Sequence, residues 1–314
     1  MIDIRLLKKL YKKINVNDFN ISFDTIDNNK NFVMNEISSV RFCPDNIKEY
    51  LNGCNKNCCI TSKYGIKFHV FYDNKTVPII YTLLKAYKQA IIIKQYFNLK
   101  KNLDIFIIMS PFKRYISYNE IINAKHINGG FTNSNDNKIF IIRSEEFAKV
   151  ILHEILHHIS DVDKNMEWSN KHVDILHSVC NISKKTKLFP NEAIVELWAT
   201  VFYSIFLSLH YNINLNKILD IEINYSIRQH NKIIKYQDNK QWIEYTNAYC
   251  YIVFKTILLY NLNKYKKDFN IDDIVKFLIK YKNTIPQYNN DKYNKVFDKT
   301  RINNSLRVLY LSDY

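Results

Sequence analysis

The sequence predicts an α+β fold, with a mixed-sheet N-terminal lobe and a mainly helical C-terminal lobe. In the first half, segments with the composition of strands lie on both sides of a long helical segment. In the second half, apolar residues recur at helical spacing, and no Gly follows Gly130. We expect residues 1–60 to be an accessory segment. Residues 61–314 should form one domain, with lobes at about 61–160 and 161–314.

The N-terminal lobe is predicted from the order strand, helix, strand, followed by two short strands around a turn. The strands are expected at 63–72, 103–109, 131–132 and 138–143, and the helix at 77–97. Two of the 4 Gly, Gly129 and Gly130, stand together before the third of these strands. They predict a place where the backbone bends or approaches another group closely. That strand is either an ordinary sheet edge or an edge that pairs with an extended substrate.

The helix that follows carries the main chemical motif of the chain. The run from Phe147 to Ile159 contains neither Gly nor Pro, and Ser144 is a suitable N-cap, with Glu145 and Glu146 near the positive end of the dipole. We therefore predict a helix over this run.

This helix contains His153, Glu154 and His157 in the order HExxH. Residues four apart share a helical face, so both imidazoles can reach one metal ion, and Glu154 can serve as a general base beside them. A chance match is the alternative. It is disfavoured because the motif lies in an apolar run, where buried His and Glu need partners.

The C-terminal lobe is predicted from four long segments with apolar residues at helical spacing, and a shorter helix is expected before them near 171–180. The long segments are 191–211, 215–234, 241–262 and 271–281.

A catalytic zinc site needs a third protein ligand, and several residues compete for that position. Asp163 lies ten residues after the first His, but Ser160 stands where a turn Gly would be expected, and Asp161 is no better placed. The stretch PNEAIVELWAT offers Glu192 and Glu196, four apart on one helical face. Two carboxylates on an apolar helix favour a nearby cation, so this stretch is preferred.

These segments resemble the gluzincin type of zincin metallopeptidase. Asn191, Glu192, Ala193 and Ile194 are similar to the NEAI segment of the thermolysin family, and His153 to His157 with Asp161 are similar to its metal helix and the Asp beyond. However, 34 residues separate His157 from Glu192, more than in that family. Uncharacterised peptidase-like proteins of large DNA viruses also look similar.

The resemblance implies a zincin-like fold, a Zn²⁺ cofactor and a peptide or protein substrate. His153, His157 and Glu192 would bind the zinc, Glu154 would be the catalytic base, and Glu196 would orient a ligand His. An ExxA pattern like that of the anthrax lethal factor type would instead make Glu196 the ligand. The alternative function is a catalytically inactive zincin fold or a basic protein that binds nucleic acid or a protein partner.

Other candidate residues are less well defined. An oxyanion donor could come from His230, Tyr245 or Tyr249, although each is better explained by packing. His158, His172 and His177 are interpreted as surface residues or as residues that support the ligands. The sequence does not decide between the alternative roles of these six residues, and it does not identify the substrate or the oligomeric state.

The formal net charge is +15, but the Lys residues are spread along the chain among Asn, Ile and Tyr. This pattern favours a solvated surface over a nucleic-acid groove. The segment 1–14 lacks the apolar core and cleavage site of a secretory signal and predicts an amphipathic helix. Because no run of 18 apolar residues occurs, we expect a soluble intracellular protein without a membrane span.

Four of the 6 Cys lie close together in CPDNIKEYLNGCNKNCC. Cys43, Cys54, Cys58 and Cys59 lack the CxxC spacing of a structural zinc site. Reduced, packed thiols are therefore favoured, with a second zinc or a redox pair as the alternative.

Overall fold

The centre of the molecule is a six-stranded mixed sheet. Its strands are β1 (Asn20–Asp24), β2 (Lys56–Thr61), β3 (Ile66–Tyr72), β4 (Leu103–Ile108), β5 (Gly130–Thr132) and β6 (Lys138–Ile141). Their order in space is β1-β2-β3-β4-β6-β5, with parallel pairing of β4 to both β3 and β6 and antiparallel pairing elsewhere. The computed structural model describes residues 2–24, 28–116, 120–133, 135–164, 167–238, 240–266, 268–287 and 305–311.

Twelve α-helices surround the sheet within the described residues, and the last five form most of the second half. They are α1 (Ile4–Lys13), α2 (Asn28–Ser38), α3 (Asp45–Gly53), α4 (Ile80–Tyr96), α5 (Ala124–Ile127), α6 (Phe147–Leu156), α7 (Ser160–Asp163), α8 (Asn170–Val179), α9 (Asn191–Tyr211), α10 (Leu215–Gln237), α11 (Lys255–Tyr260) and α12 (Ile271–Tyr281). The predicted α+β class with a helical C-terminal part is confirmed.

Side chains alternate across the sheet and divide its two faces between aliphatic and aromatic packing. On β4, Ile105 and Ile107 face the large core that includes α4, α6 and α9, while Phe106 and Ile108 face the opposite side. Phe106 stacks on Phe140 of β6 at 5.3 Å between ring centroids, and Phe140 stacks on Phe131 of β5 at 5.0 Å. This row of rings crosses the sheet and holds the edge strand β5 in register.

The first 60 residues contribute to this sheet. They provide the strands β1 and β2, and α2 and α3 cover the second face, where Val33, Ile47 and Leu51 pack against the aromatic row. The predicted boundary at residue 60 falls inside β2. Neither strand was predicted, because Asn, Asp and Lys in their sequences weaken the strand pattern.

Helix α6 lies at the centre of the molecule, in contact with the sheet, α4 and α9, and all ten of its residues are buried. Its neighbour α9 has the length and apolar composition of a membrane span, but 78% of its most apolar window is buried inside the protein. That burial is consistent with the core helix of a soluble protein. Ala193 and Ala199 on α9 are fully buried, and α9 packs against α6.

Two helices start later than predicted. Helix α4 starts at Ile80 rather than at Val77, because the residue before Pro78 is disfavoured in helical conformation. Residues 241–247 are not helical. Trp242 and Glu244 form isolated β-bridges to Ile182 and Ile122, and a π-helix at 250–254 precedes α11. The shorter helix expected near 171–180 is present as α8.

All six cysteines are free thiols. Burial raises the pKa of Cys43 and of Cys58 to about 12, which keeps both protonated and unreactive. The structure therefore favours packed thiols over the redox and zinc alternatives.

Candidate metal centre

The prediction that Ser144 caps helix α6 is wrong. The cap is Glu146, in left-handed backbone conformation with φ 59°, and Ser144 Oγ instead donates to the carbonyl of Ser110 at 2.8 Å. The Glu146 carboxylate is buried in an ion pair with Arg114 and accepts the backbone N–H of Leu309 at 2.6 Å. Tertiary contacts rather than a local capping motif therefore set the start of this helix.

Helix α6 ends at Leu156, three residues before the predicted end at Ile159, and His157 is its C-cap. The backbone N–H of His157 still bonds to the carbonyl of His153 at 3.3 Å. The two imidazoles therefore stay on one face, as the four-residue spacing predicts.

Three potential ligand atoms converge between α6 and α9. His153 Nε2 lies 3.1 Å from His157 Nε2 and 3.2 Å from Glu192 Oε2, and His157 Nε2 lies 3.4 Å from the same oxygen. Among the described residues, this is the one group of three or more His, Cys, Asp or Glu side chains positioned to hold a metal ion. Glu192 is in the first turn of α9, where the helix dipole favours a carboxylate.

Glu196, one turn further along α9, contacts the other side of His153. Its Oε2 lies 2.8 Å from His153 Nδ1, and its Oε1 accepts a hydrogen bond of 2.6 Å from the buried ammonium of Lys149. Burial alone would raise the pKa of Glu196, but the charge of Lys149 and the hydrogen bond to His153 lower it to about 2. Glu196 is therefore an ionised carboxylate that orients His153.

Asp163 has the corresponding place behind His157. Its Oδ1 lies 3.2 Å from His157 Nδ1 and accepts a hydrogen bond of 2.8 Å from the Asn191 side chain. Asp161, which the family resemblance selected as the Asp beyond the metal helix, is exposed. The Asp that contacts His157 is therefore Asp163, which is buried on the short helix α7.

With these contacts made, the three atoms that face one another between α6 and α9 are all hydrogen-bond acceptors. If each imidazole donates its Nδ1–H to a carboxylate, both Nε2 lone pairs point toward Glu192 Oε2, and a cation is needed between them. Burial alone would lower the pKa of His157 and raise that of Glu192, but their mutual attraction reverses both directions and holds His157 protonated. A metal ion would replace such protons.

Glu154 lies beside this group and is buried. Burial raises the pKa of Glu154, and the charges of His153 and His157 partly offset that rise. A cavity of about 380 Å³ is lined by the three candidate ligands, by Glu154 and by the whole of the edge strand β5. The candidate site therefore opens into a cleft with the edge of the sheet as one wall.

Gly130 permits the close approach of β5 to α6 that the paired glycines predicted. A Cβ at this position would lie 2.8 Å from the backbone oxygen of Phe140, 2.8 Å from Val150 Cγ1 and 3.1 Å from Glu154 Oε1. Two of these neighbours are backbone or branched side-chain atoms in the core, so they have little freedom to move.

We expect Gly130→Ala to lower the free energy of unfolding by about 1–3 kcal/mol, the usual cost of overpacking. Gly53→Ala is the matched control, because a Cβ there has no atom within 4 Å and Gly53 is the last residue of α3. Chemical denaturation of both variants measures the difference. Equal stability of the two would mean that β5 shifts freely away from α6.

The structure does not bring the proposed oxyanion donors to the cleft. Tyr245 is 65% exposed, and Tyr249 and His230 are buried in the helical lobe away from the cleft lining. The other three histidines contact groups outside the ligand set, and His177 is buried rather than at the surface. His158 Nε2 lies 2.9 Å from Thr132 Oγ1 on β5, and His172 and His177 bond to groups in the C-terminal half.

Tyr251 is the cleft residue that the sequence did not reveal. Its ring packs edge-on against His153 at 5.7 Å between centroids, and it lines the cleft together with Asn247. Burial, together with the charges of Glu192 and Glu154, raises its pKa well above the ordinary value, so the hydroxyl keeps its proton. Tyr251 lies in the π-helix, whose wider turn changes the direction of the side chain relative to a regular helix.

Comparison with known proteins gives one distant relative. No family model and no solved structure matches the chain. An uncharacterised protein of Acanthamoeba polyphaga mimivirus is 21% identical over 295 residues, which cover 85% of this chain and 65% of the viral protein. The chain thus spans less than two thirds of that relative. The similarity to a viral protein agrees with part of the resemblance noted from the sequence, and the zincin relationship stays a hypothesis.

Proposed function

We propose that the chain is a zinc-dependent hydrolase that cleaves peptide bonds. The observation that supports this most is the convergence of His153, His157 and Glu192 next to Glu154, at the base of an open cleft. His153 and Glu154 lie in α6, His157 is the C-cap of that helix, and Glu192 lies in α9, which packs against it.

Zinc fits the residues better than a hard cation does. Two imidazoles and one carboxylate are a usual ligand set for catalytic zinc, whereas calcium and magnesium prefer oxygen ligands. Ligands about 2.0–2.1 Å from a tetrahedral zinc ion are about 3.3–3.4 Å apart, and the three ligand atoms here are 3.1, 3.2 and 3.4 Å apart. When bound, zinc would lower the pKa of a water and polarise the substrate carbonyl.

Residues of the chain would transfer the proton, orient the ligands and bind the substrate carbonyl. Glu154 takes a proton from the attacking water and delivers it to the leaving amine, a role favoured by its burial and its raised pKa. Glu196 and Asp163 keep the imidazoles oriented. The Tyr251 hydroxyl is the donor we assign to the carbonyl oxygen of the substrate, because it lines the same cleft.

A peptide is the proposed substrate because β5 lines the cleft at the edge of the sheet and pairs with no strand on its outer side in the part of the chain that the structure describes. An extended peptide can pair with this edge and present a carbonyl to the centre. Gly130 keeps the strand close enough to α6 for such a peptide to reach Glu154.

The test is the metal content of purified protein together with chelator-sensitive cleavage of a peptide library. We expect about one zinc per chain, loss of cleavage on chelation and recovery on addition of zinc. His157→Ala should lose the metal, whereas His172→Ala should keep it, because that His contacts Asp272 far from the cleft.

Folded protein without zinc, or cleavage that resists chelation, would overturn the proposal. A metal-free protein that binds nucleic acid with a steep dependence on salt would instead support the basic binding protein.

A further inference from the structure

A second, larger concavity adjoins the cleft. Its volume is about 1140 Å³, and its walls come from the segment 38–48 and from residues 112, 113, 115 and 123–125. Phe42 lines both spaces, and the consecutive residues Tyr245 and Thr246 line the large space and the cleft respectively. Asn128 joins Phe42 and Thr246 at this junction, because its amide N–H donates to the Phe42 carbonyl at 3.5 Å and its Oδ1 accepts a hydrogen bond of 2.8 Å from Thr246 Oγ1. We call the large space the basic groove.

The groove is positively charged. Five of its lining residues are basic and one is acidic. The basic residues are Arg41, Lys48, Lys113, Lys125 and Arg143. The acidic residue, Asp45, pairs with Lys48 at 2.9 Å, and Lys125 pairs with Glu120 at 2.5 Å.

The other three basic residues of the groove make no ion pair with a carboxylate among the described residues. Arg41 and Lys113 are exposed and make no ion pair with any carboxylate in the part of the chain that the structure describes. Arg143 is buried, and its guanidinium donates to backbone carbonyls of Asn128 (2.7 Å) and Lys125 (2.7 Å). Its N–H groups thus hold the walls together while its charge adds to the field in the groove.

The geometry points to an acidic stretch of the peptide substrate as the occupant of this groove. This inference rests on the proposed function, since it identifies the class of peptide that the same site would cleave. A chain that pairs with β5 and continues past Phe42 enters a space where carboxylates gain favourable interactions with Arg41, Lys113 and Arg143. The groove would therefore select substrates with Asp and Glu on one side of the scissile bond.

A nucleic acid strand fits the groove less well than a peptide does. Two aromatic rings of the groove are already engaged, since the Arg41 guanidinium lies over the Phe42 ring at 5.1 Å and Tyr115 packs edge-on against His126 at 5.0 Å. Tyr245, which is 65% exposed, is the open aromatic face left for base stacking, and a bound strand normally stacks successive bases on several rings. The continuity with a sheet edge also favours a peptide backbone.

Binding of labelled peptides to the full-length Glu154→Gln protein tests the inference without turnover. Peptides should share one neutral core and carry a run of Glu and Asp, of Ala or of Lys on either side. We expect the acidic run on one side to bind about tenfold more tightly than the Ala run, and salt to reduce the difference. The double substitution Arg41→Glu with Lys113→Glu should remove that preference.

The control is Lys8→Glu with Lys9→Glu, which makes the same change in net charge at exposed positions of α1, outside the groove. It should keep the preference, and thermal unfolding should show that both double variants are folded. Equal binding of acidic and neutral peptides would overturn the inference, as would tighter groove-dependent binding of a single-stranded oligonucleotide of equal charge. Cleavage is measured separately with the parent protein. Preferential binding of acidic peptides without any cleavage by the parent protein would therefore count against the proposed function alone.

Discussion

Replacing Glu154 by Gln should reduce peptide hydrolysis by about 10²–10⁴-fold, the usual contribution of a general base. The amide has nearly the shape of the carboxylate but cannot accept the proton of water. Because Glu154 is buried and forms no ion pair within the described residues, the substitution leaves no opposite charge uncompensated. The variant should therefore fold as well as the parent protein and keep its zinc.

Single-turnover cleavage of one peptide, with metal content measured on the same samples, checks this expectation. Glu49→Gln is the matched control, since Glu49 is an exposed carboxylate on α3 and its loss makes the same change in charge. Turnover by Glu154→Gln at the parental rate would remove Glu154 from the mechanism. Loss of zinc by this variant would show that the residue acts on the metal site rather than on a proton.

The convergence of His153 and His157 follows from helical periodicity, because residues four apart share a face in any regular helix. The roles of Glu192 and Glu196 depend on more than that. They lie on one face of α9, one turn apart, and only the packing of α9 on α6 decides which carboxylate meets Nε2 of His153 and which meets Nδ1. Sequence spacing could therefore identify both carboxylates as candidates, but it could not decide which of them is the metal ligand.

Tyr251 and Asp163 show where local patterns are insufficient. Tyr251 belongs to a π-helix, and a regular helix from residue 241 would direct its side chain differently. Asp163 reaches His157 because the chain turns into the short helix α7 just after the metal helix. In both cases the position of the side chain depends on a backbone irregularity that is not evident from residue spacing.

The strands β1 and β2 were not predicted for a related reason. Their residues include Asn, Asp and Lys, which weaken the strand pattern. Their stability comes from pairing with each other and with β3, and from α2 and α3 on the second face of the sheet. Strand β3 could be predicted from its alternating pattern, and β4 and β6 from their continuous apolar runs, which are typical of buried strands.

Substitution of Glu192 should reduce zinc affinity more than substitution of Glu196 does. Substitution of Glu196 should reduce the stability of the metal-free protein more than substitution of Glu192 does. Glu192→Ala should abolish tight zinc binding, because it removes one of three ligand atoms. Glu196→Gln should weaken zinc affinity by about 10–100-fold, the usual cost of losing a group that orients a ligand.

Stability follows from the partners of each carboxylate. Glu196 is paired with Lys149 at 2.6 Å, and both side chains are buried. Breaking a buried pair by removing one charge costs about 3–5 kcal/mol, so Glu196→Gln should destabilise the metal-free protein far more than Glu192→Ala does. Glu192 interacts with imidazoles that can release their protons, so its loss leaves no fixed positive charge in the core.

Competition titration with a zinc chelator and denaturation of the metal-free proteins measure the two effects independently. The double variant Lys149→Met with Glu196→Gln separates them further. It removes both buried charges, so it should recover stability relative to Glu196→Gln while zinc affinity stays low. If Glu196→Gln abolished zinc binding and Glu192→Ala only weakened it, the ligand would be Glu196. If neither substitution changed zinc affinity, the metal would not be bound between α6 and α9.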